Sequence, residues 1–168
     1  MKVGSPRFKE KTLVALADPN LRQALGQSRK GFVNGRAALV AGVPEFEAMR
    51  DQARDVKNHV LANLDHYLER FEASVTAAGG HVHWAADAED ARRIVLDICQ
   101  RVDAKVVTKG KSMVSEEIGL NEALEEQGYT VVETDLGEYI IQLAHEPPSH
   151  IIAPAIHKTK EQVSELFE

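Results

Sequence analysis

The spacing of apolar residues changes once along the chain, near "AAGGH" at residues 77–81, and that change limits the fold more than any other feature. Before it the pattern is helical. Phe46, Met49, Ala53, Val56, Val60, Leu64, Tyr67, Phe71, Val75 and Ala78 recur at spacings of three and four, which sets them on one stripe of a helix from about Pro44 to Ala78. Pro44 suits a first turn and Gly79 a stop. At ~1.5 Å per residue such a helix would be about 50 Å long, so it needs a partner to cover its stripe. Leu21, Ala24, Leu25, Phe32, Ala38 and Leu39 give a second, weaker stripe, and "AGVP" at 41–44 reads as the short connection of an antiparallel helix pair. "DPNL" at 18–21 starts another helix, with Asp18 as cap and Pro19 in the first turn. The sequence therefore predicts a helical arm over residues 1–78, a short helix followed by a long helical hairpin.

Beyond Gly80, strand-like and helical runs alternate. "HVHWA", "KVVTK", "TVVET" and "HIIAP" read as strands. "DAEDARRIVLDICQRV", opened by Asp87, "SEEIGLNEALEEQG", capped by Ser115 and ended by Gly128, and "KTKEQVSELFE" read as helices, while "EYIIQL" is a short apolar run. Strands separated by helices of this length mean βαβ units, so residues 79–168 are expected to form an α/β core with a parallel sheet covered by helices. A sheet of three or four strands is small for this architecture, and the last helix carries no stop signal. The core is expected to be incomplete and to continue in a longer parent protein.

A net charge of -6 argues against broad contact with nucleic-acid phosphates. The single cysteine, Cys99, lies in the apolar run "RIVLDIC" and reads as a small buried hydrophobe; one cysteine builds neither a disulfide nor a thiolate metal site. No run approaches the ~18 apolar residues of a membrane span, and "MKVGSPRFKEK" lacks the apolar centre of a signal peptide, so the expected compartment is the cytoplasm.

In an open parallel sheet, ligands bind at the carboxyl ends of the strands. That rule singles out three loops. Lys109, Lys111 and Ser112 follow "KVV" and precede a helix, where free N–H groups and two lysines would hold a phosphate or carboxylate; plain capping with solvated lysines is the alternative. Gly110-Lys111-Ser112 lacks the earlier glycine of a nucleotide P-loop, which excludes that motif. Asp135 and Glu138 follow "TVVE" as paired carboxylates for acid–base work, or as the residues the turn itself requires. His157, after "APAI", is the best general acid–base candidate in the chain. His81 and His83 share one face of a strand but lack an evident third ligand, so no metal site is assigned. His59 and His66 fall on the solvated side of the long helix, and the acidic run from Glu116 to Glu138 reads as a solvated face.

The same residues carry a resemblance. "KGKSMVSEEIGLNEALEEQGYTVVETDLGEYIIQLAHEPPSHIIAPAIHKTKEQV", residues 109–163, resembles the LUD domain of the lactate-utilisation family, specifically its B-type iron–sulfur subunit. "SMVSEEIGLNEAL", "ETDLGEYIIQL" and "PSHIIAPAIHKTK" are each long and stand in the family's order, and the helical arm and "GGHVHWA" fit the same type. The resemblance implies a fold similar to ribose-5-phosphate isomerase, glucosamine-6-phosphate deaminase and the CoA transferases. It also implies membership of a three-protein assembly that oxidises L-lactate to pyruvate, with this subunit relaying electrons through two 4Fe-4S clusters. Those clusters are held by C-x-x-C-x-x-C-x-x-x-C-P runs on the C-terminal side of the LUD domain, and this chain has none. Two smaller departures are Gly110, where serine is expected in relatives, and His145, where glycine is usual.

The leading expectation is the LUD portion of an electron-transfer subunit with no autonomous activity, partnered by the other subunits of a lactate-utilisation complex. The alternative is a stand-alone enzyme or sensor of the isomerase and CoA-transferase type that binds a phosphometabolite, CoA ester or other small anion. A third reading is a structural module that oligomerises through the helical arm.

Overall fold

A computed structural model describes residues 7–149 and 153–168. Their order is α1 (Phe8–Ala17), α2 (Pro19–Ser28), a π-helical turn (Arg29–Asn34), α3 (Gly35–Ala41), α4 (Phe46–Ala62), α5 (Leu64–Ala77), α6 (Ala88–Arg101), β1 (Val106–Lys109), α7 (Met113–Glu117), α8 (Leu120–Glu126), β2 (Thr130–Glu133), α9 (Leu136–Ala144) and α10 (Lys160–Leu166). They fall into two compact units. One is Gly31–Trp84, and the other combines the residues up to Lys30 with Ala85–Glu168.

The second unit is α/β. β1 and β2 pair in parallel, with Val106 opposite Thr130 and Lys109 opposite Glu133. α7 and α8 form the crossover that a parallel pair requires. Side chains alternate along a strand, so Val107 and Val131, partners in register, face the same side. There they meet Cys99 of α6 and Leu124 of α8, with Val95, Leu96, Leu120 and Tyr129 around them. Leu124 is fully buried, and truncating it to alanine would cost about 2–5 kcal/mol.

Local signals explain the helix starts. Asp18 accepts from the backbone N–H groups of Asn20 and Leu21, and Pro19 occupies the first turn of α2. Asp87 accepts from Asp90 N at 2.8 Å and opens α6. Thr159 and Gln162 close a reciprocal capping box on α10.

Several expectations change. The helix predicted over 44–78 breaks at Asn63, whose side-chain amide donates to the His59 carbonyl at 2.8 Å and whose φ of -129° leaves the helical region. The single long hairpin is replaced by shorter helices, and α1 to α5 contain no buried residue. Met49, Val56, Leu64 and Phe71 of the apolar stripe stand exposed. "HVHWA" has no ladder partner among the described residues and is irregular; the Trp84 indole N–H donates to Glu72 instead, at 3.1 Å. The helix over 115–128 splits at Gly119, which takes a left-handed φ of 66° that favours glycine, and it is capped by Ser112 rather than Ser115. "EYIIQL" belongs to α9. The first three residues of "HIIAP" lie outside the described residues.

The outer edge of β2 is closed by a side chain. Gln142 of α9 accepts from Glu133 N at 3.1 Å and donates to the Val131 carbonyl at 2.8 Å, the two groups a further strand would otherwise pair. One glutamine thereby satisfies two backbone groups on this side of β2.

Candidate functional site

The apolar face of the sheet turns polar at its carboxyl end. Two residues beyond Val107 and Val131, on the same face, stand Lys109 and Glu133, the last residues of β1 and β2. Their side chains are only 13% and 5% exposed, and Lys109 Nζ lies 2.5 Å from Glu133 Oε1. A second donor reaches the same oxygen, Asn121 Nδ2 of α8 at 3.0 Å. Lys109 also donates to Ser115 Oγ at 3.3 Å, while the buried Ser115 hydroxyl donates to the Ser112 carbonyl at 2.9 Å. The crossover helices thus lay Ser115 and Asn121 over an ion pair that the strand register creates.

Not every polar atom there is paired. Glu133 Oε2 and Asn121 Oδ1 are both buried and have no hydrogen-bond partner. The orientation of Asn121 is fixed by chemistry, because only its NH2 group can donate to the glutamate. Two acceptors without a donor remain beside a lysine that has three N–H groups and two protein partners.

The residues singled out from the sequence fall in different places. Lys109 turns inward to Glu133, Lys111 is exposed, and Ser112 accepts from Ser115 N at 3.2 Å as the cap of α7, so these three do not converge. Asp135 is exposed and accepts from Gly137 N and Glu138 N as the cap of α9. Glu138 is buried, at 3% exposure. His157 donates from Nε2 to Glu146 Oε2 at 2.8 Å, and Lys158 donates to the other oxygen of Glu146 at 2.5 Å. Burial pushes the Glu146 carboxyl up, but hydrogen bonds and charge from Lys158 and His157 outweigh it and hold the group below the usual carboxylate range. His157 Nδ1 is buried without a hydrogen-bond partner.

Glu133 and Asn121 went unremarked in the sequence because both sit in an acidic stretch that reads as solvated. The signal that finds Glu133 is the alternation of β2: the residue two beyond a core valine faces the core side as well. An open groove of about 940 Å³ runs beside α6 and α8, lined by Arg92, Arg93, Asp97, Gln100, Gln127 and Tyr129. Its guanidinium groups are already engaged, Arg92 by the Ile118 carbonyl at 2.5 Å and Arg93 by Asp90 and Asp97. Among the described residues no group of three or more His, Cys, Asp and Glu is placed to hold a metal ion. The lone cysteine, Cys99, is buried in the apolar core, so the donors present do not fit a 4Fe-4S cluster, which takes four thiolates. No helix among the described residues is long and apolar enough to cross a membrane.

Comparison with known proteins places these residues in context. Residues 68–168 match the LUD domain. The chain is 43% identical over 169 residues to lactate utilization protein B of Bacillus licheniformis, covering 100% of this chain and 35% of that protein. It is 42% identical over 169 residues to lactate utilization protein B of Bacillus subtilis, with the same coverage of each. The uncharacterized electron transport protein YkgF of Escherichia coli is 43% identical over 167 residues, 99% of this chain and 35% of its own length. The chain therefore spans about a third of the length of these relatives. No solved structure matches it.

Proposed function

Because the chain belongs to the LUD domain family, we propose that it is the LUD portion of an electron-transfer subunit in the oxidation of L-lactate to pyruvate. The observation that carries this reading is similarity along the whole chain, rather than over one motif, to proteins named for lactate utilization and for electron transport. The subunit works in the cytoplasm beside the other members of a lactate-utilisation complex. Exposed Met49, Val56, Leu64 and Phe71 on α4 and α5 offer the apolar surface that such an assembly would cover.

Electron relay through two 4Fe-4S clusters is assigned to the assembly and not to these residues, since the only thiol of the chain is locked in the core. What the LUD portion contributes is a rigid α/β body with a polar cluster at the carboxyl edge of its sheet. By itself it is expected to catalyse no lactate-dependent reduction of an artificial electron acceptor. In the source organism, deletion of the encoding gene is expected to abolish growth on L-lactate and to spare growth on pyruvate. Undiminished growth on L-lactate, or rapid turnover by the isolated chain, overturns the reading.

A further inference from the structure

We infer that α4 and α5 are a dimer interface, on which a second copy of this chain lies antiparallel about a twofold axis at Ala62. This commits the exposed apolar stripe to one occupant, and it stands or falls without the lactate-utilisation reading. The observation is a pattern that complements itself. Phe46, Met49, Ala53, Val56 and Val60 of α4 recur at three and four, the a and d positions of a heptad. Leu64, Leu68, Phe71, Val75 and Ala78 do the same along α5 and its cap. The register slips by one residue between the two sets, at Asn63, where a φ of -129° breaks the helix. Met49, Val56, Leu64, Leu68 and Phe71 are 36–64% exposed, so one chain leaves the stripe uncovered. α4 does not fold back over α5, because Asn63 alone separates them and an αα-hairpin takes a loop of about 2–5 residues.

A second copy supplies the cover. The stripe mirrors itself about Ala62: Phe46 with Ala78, Met49 with Val75, Ala53 with Phe71, Val56 with Leu68 and Val60 with Leu64. Each pair sets an a position against a d position, as antiparallel helices do, and each phenylalanine meets an alanine, so that large packs beside small. A parallel pair in register would instead stack Phe71 on Phe71 and leave Ala53 opposite Ala53. A twofold interface requires this mirror, since residue i meets j while j meets i. Charge follows the same symmetry. Reversing one helix sets e positions against e positions, and these are Arg50 and Lys57 on α4 but Asp65 and Glu72 on α5. Arg50 therefore faces Glu72 of the second copy, and Lys57 faces Asp65. Both charged pairs are centred on one residue, Leu61, so a single register serves them together.

Sedimentation equilibrium of the 168-residue chain tests the inference, and a dimer is expected in the micromolar range. Val56→Glu changes a side chain that is 64% exposed in the single chain, so helicity by circular dichroism is expected to persist while dimerisation weakens at least tenfold. Two charge variants test the register. Lys57→Glu and Asp65→Lys each create two like-charged contacts per dimer, and each alone is expected to dimerise on the order of tenfold more weakly. Mixed together, the two variants restore both opposite-charge contacts and are expected to form a heterodimer of parental affinity. Within one chain Lys57 and Asp65 stand more than two helical turns apart, so this rescue reports contact between copies. A monomer at every concentration up to hundreds of micromolar overturns the inference and gives the stripe to a different protein. A dimer indifferent to Val56→Glu, or charge variants that gain nothing on mixing, overturns it as well.

Discussion

Removing the positive half of the buried ion pair should cost the α/β unit a large part of its stability. In Lys109→Met the side-chain stem is kept, but Glu133, 5% exposed, loses the ammonium at 2.5 Å and retains only Asn121 as a donor. Stranding one member of a buried pair costs about 3–5 kcal/mol, against a total of ~5–15 kcal/mol for a typical domain. Replacing both members by apolar residues removes the stranded charge, so Lys109→Met combined with Glu133→Leu should recover much of the loss. The remaining deficit of about 1–3 kcal/mol is the Asn121 amide left without its acceptor. Amide hydrogen exchange in β2 is the assay, because the only tryptophan, Trp84, belongs to the other compact unit and its fluorescence does not report on the sheet. At 1.36 kcal/mol per decade, Lys109→Met should speed exchange by about two to nearly four orders of magnitude, and the double variant should be slower than this single one. An acceleration below tenfold, or a double variant as labile as the sum of its parts, would show that the pair is not held in a low-dielectric setting.

Two further outcomes follow from particular residues. His145 ends α9 with φ 53° and ψ 38°, a left-handed conformation that costs an L-residue about 1–2 kcal/mol and glycine far less. Since His145 is exposed, His145→Gly should raise stability by about 0.5–1 kcal/mol after the entropy glycine loses on folding, read as a higher urea midpoint; a lower midpoint would point to an unrecognised packing role. Glu146, whose pKa is held down by Lys158 and His157 against the opposing effect of burial, contributes stability that is present above its unfolded pKa, near 4.5, and lost as pH falls through the lower folded value. Glu146→Gln should therefore be less stable than the parent at pH 7 and lose less on acidification below pH 4.5. Parallel stability curves for the two proteins across that range would refute the linkage.

What was legible in the sequence is what the chain decides locally. Asp18 with Pro19, Asp87, and Thr159 with Gln162 place helix starts through side-chain to backbone hydrogen bonds within three residues, and "KVV" and "TVV" are apolar enough to form strands wherever a partner is offered. "HVHWA" has comparable alternation but no such partner among the described residues, and alternation alone does not make a ladder. The break at Asn63 was hidden because apolar spacing reports which face is oily, whereas the break depends on one amide competing for the His59 carbonyl. The candidate site was harder still. The rule that ligands gather at strand ends directed attention to the loops, where Asp135 and Ser112 turn out to be caps. The buried polar groups instead occupy the last position of each strand, where register sets Lys109 against Glu133 and Asn121 comes down from the crossover. A glutamate within an acidic run looks solvated when residues are averaged by neighbourhood in sequence. It is recognisable as buried only when counted in steps of two from Val131, and its partner only once β1 and β2 are known to run parallel with Val107 opposite Val131. Long-range pairing, more than composition, therefore decides which charges of this chain enter the interior and which remain in water.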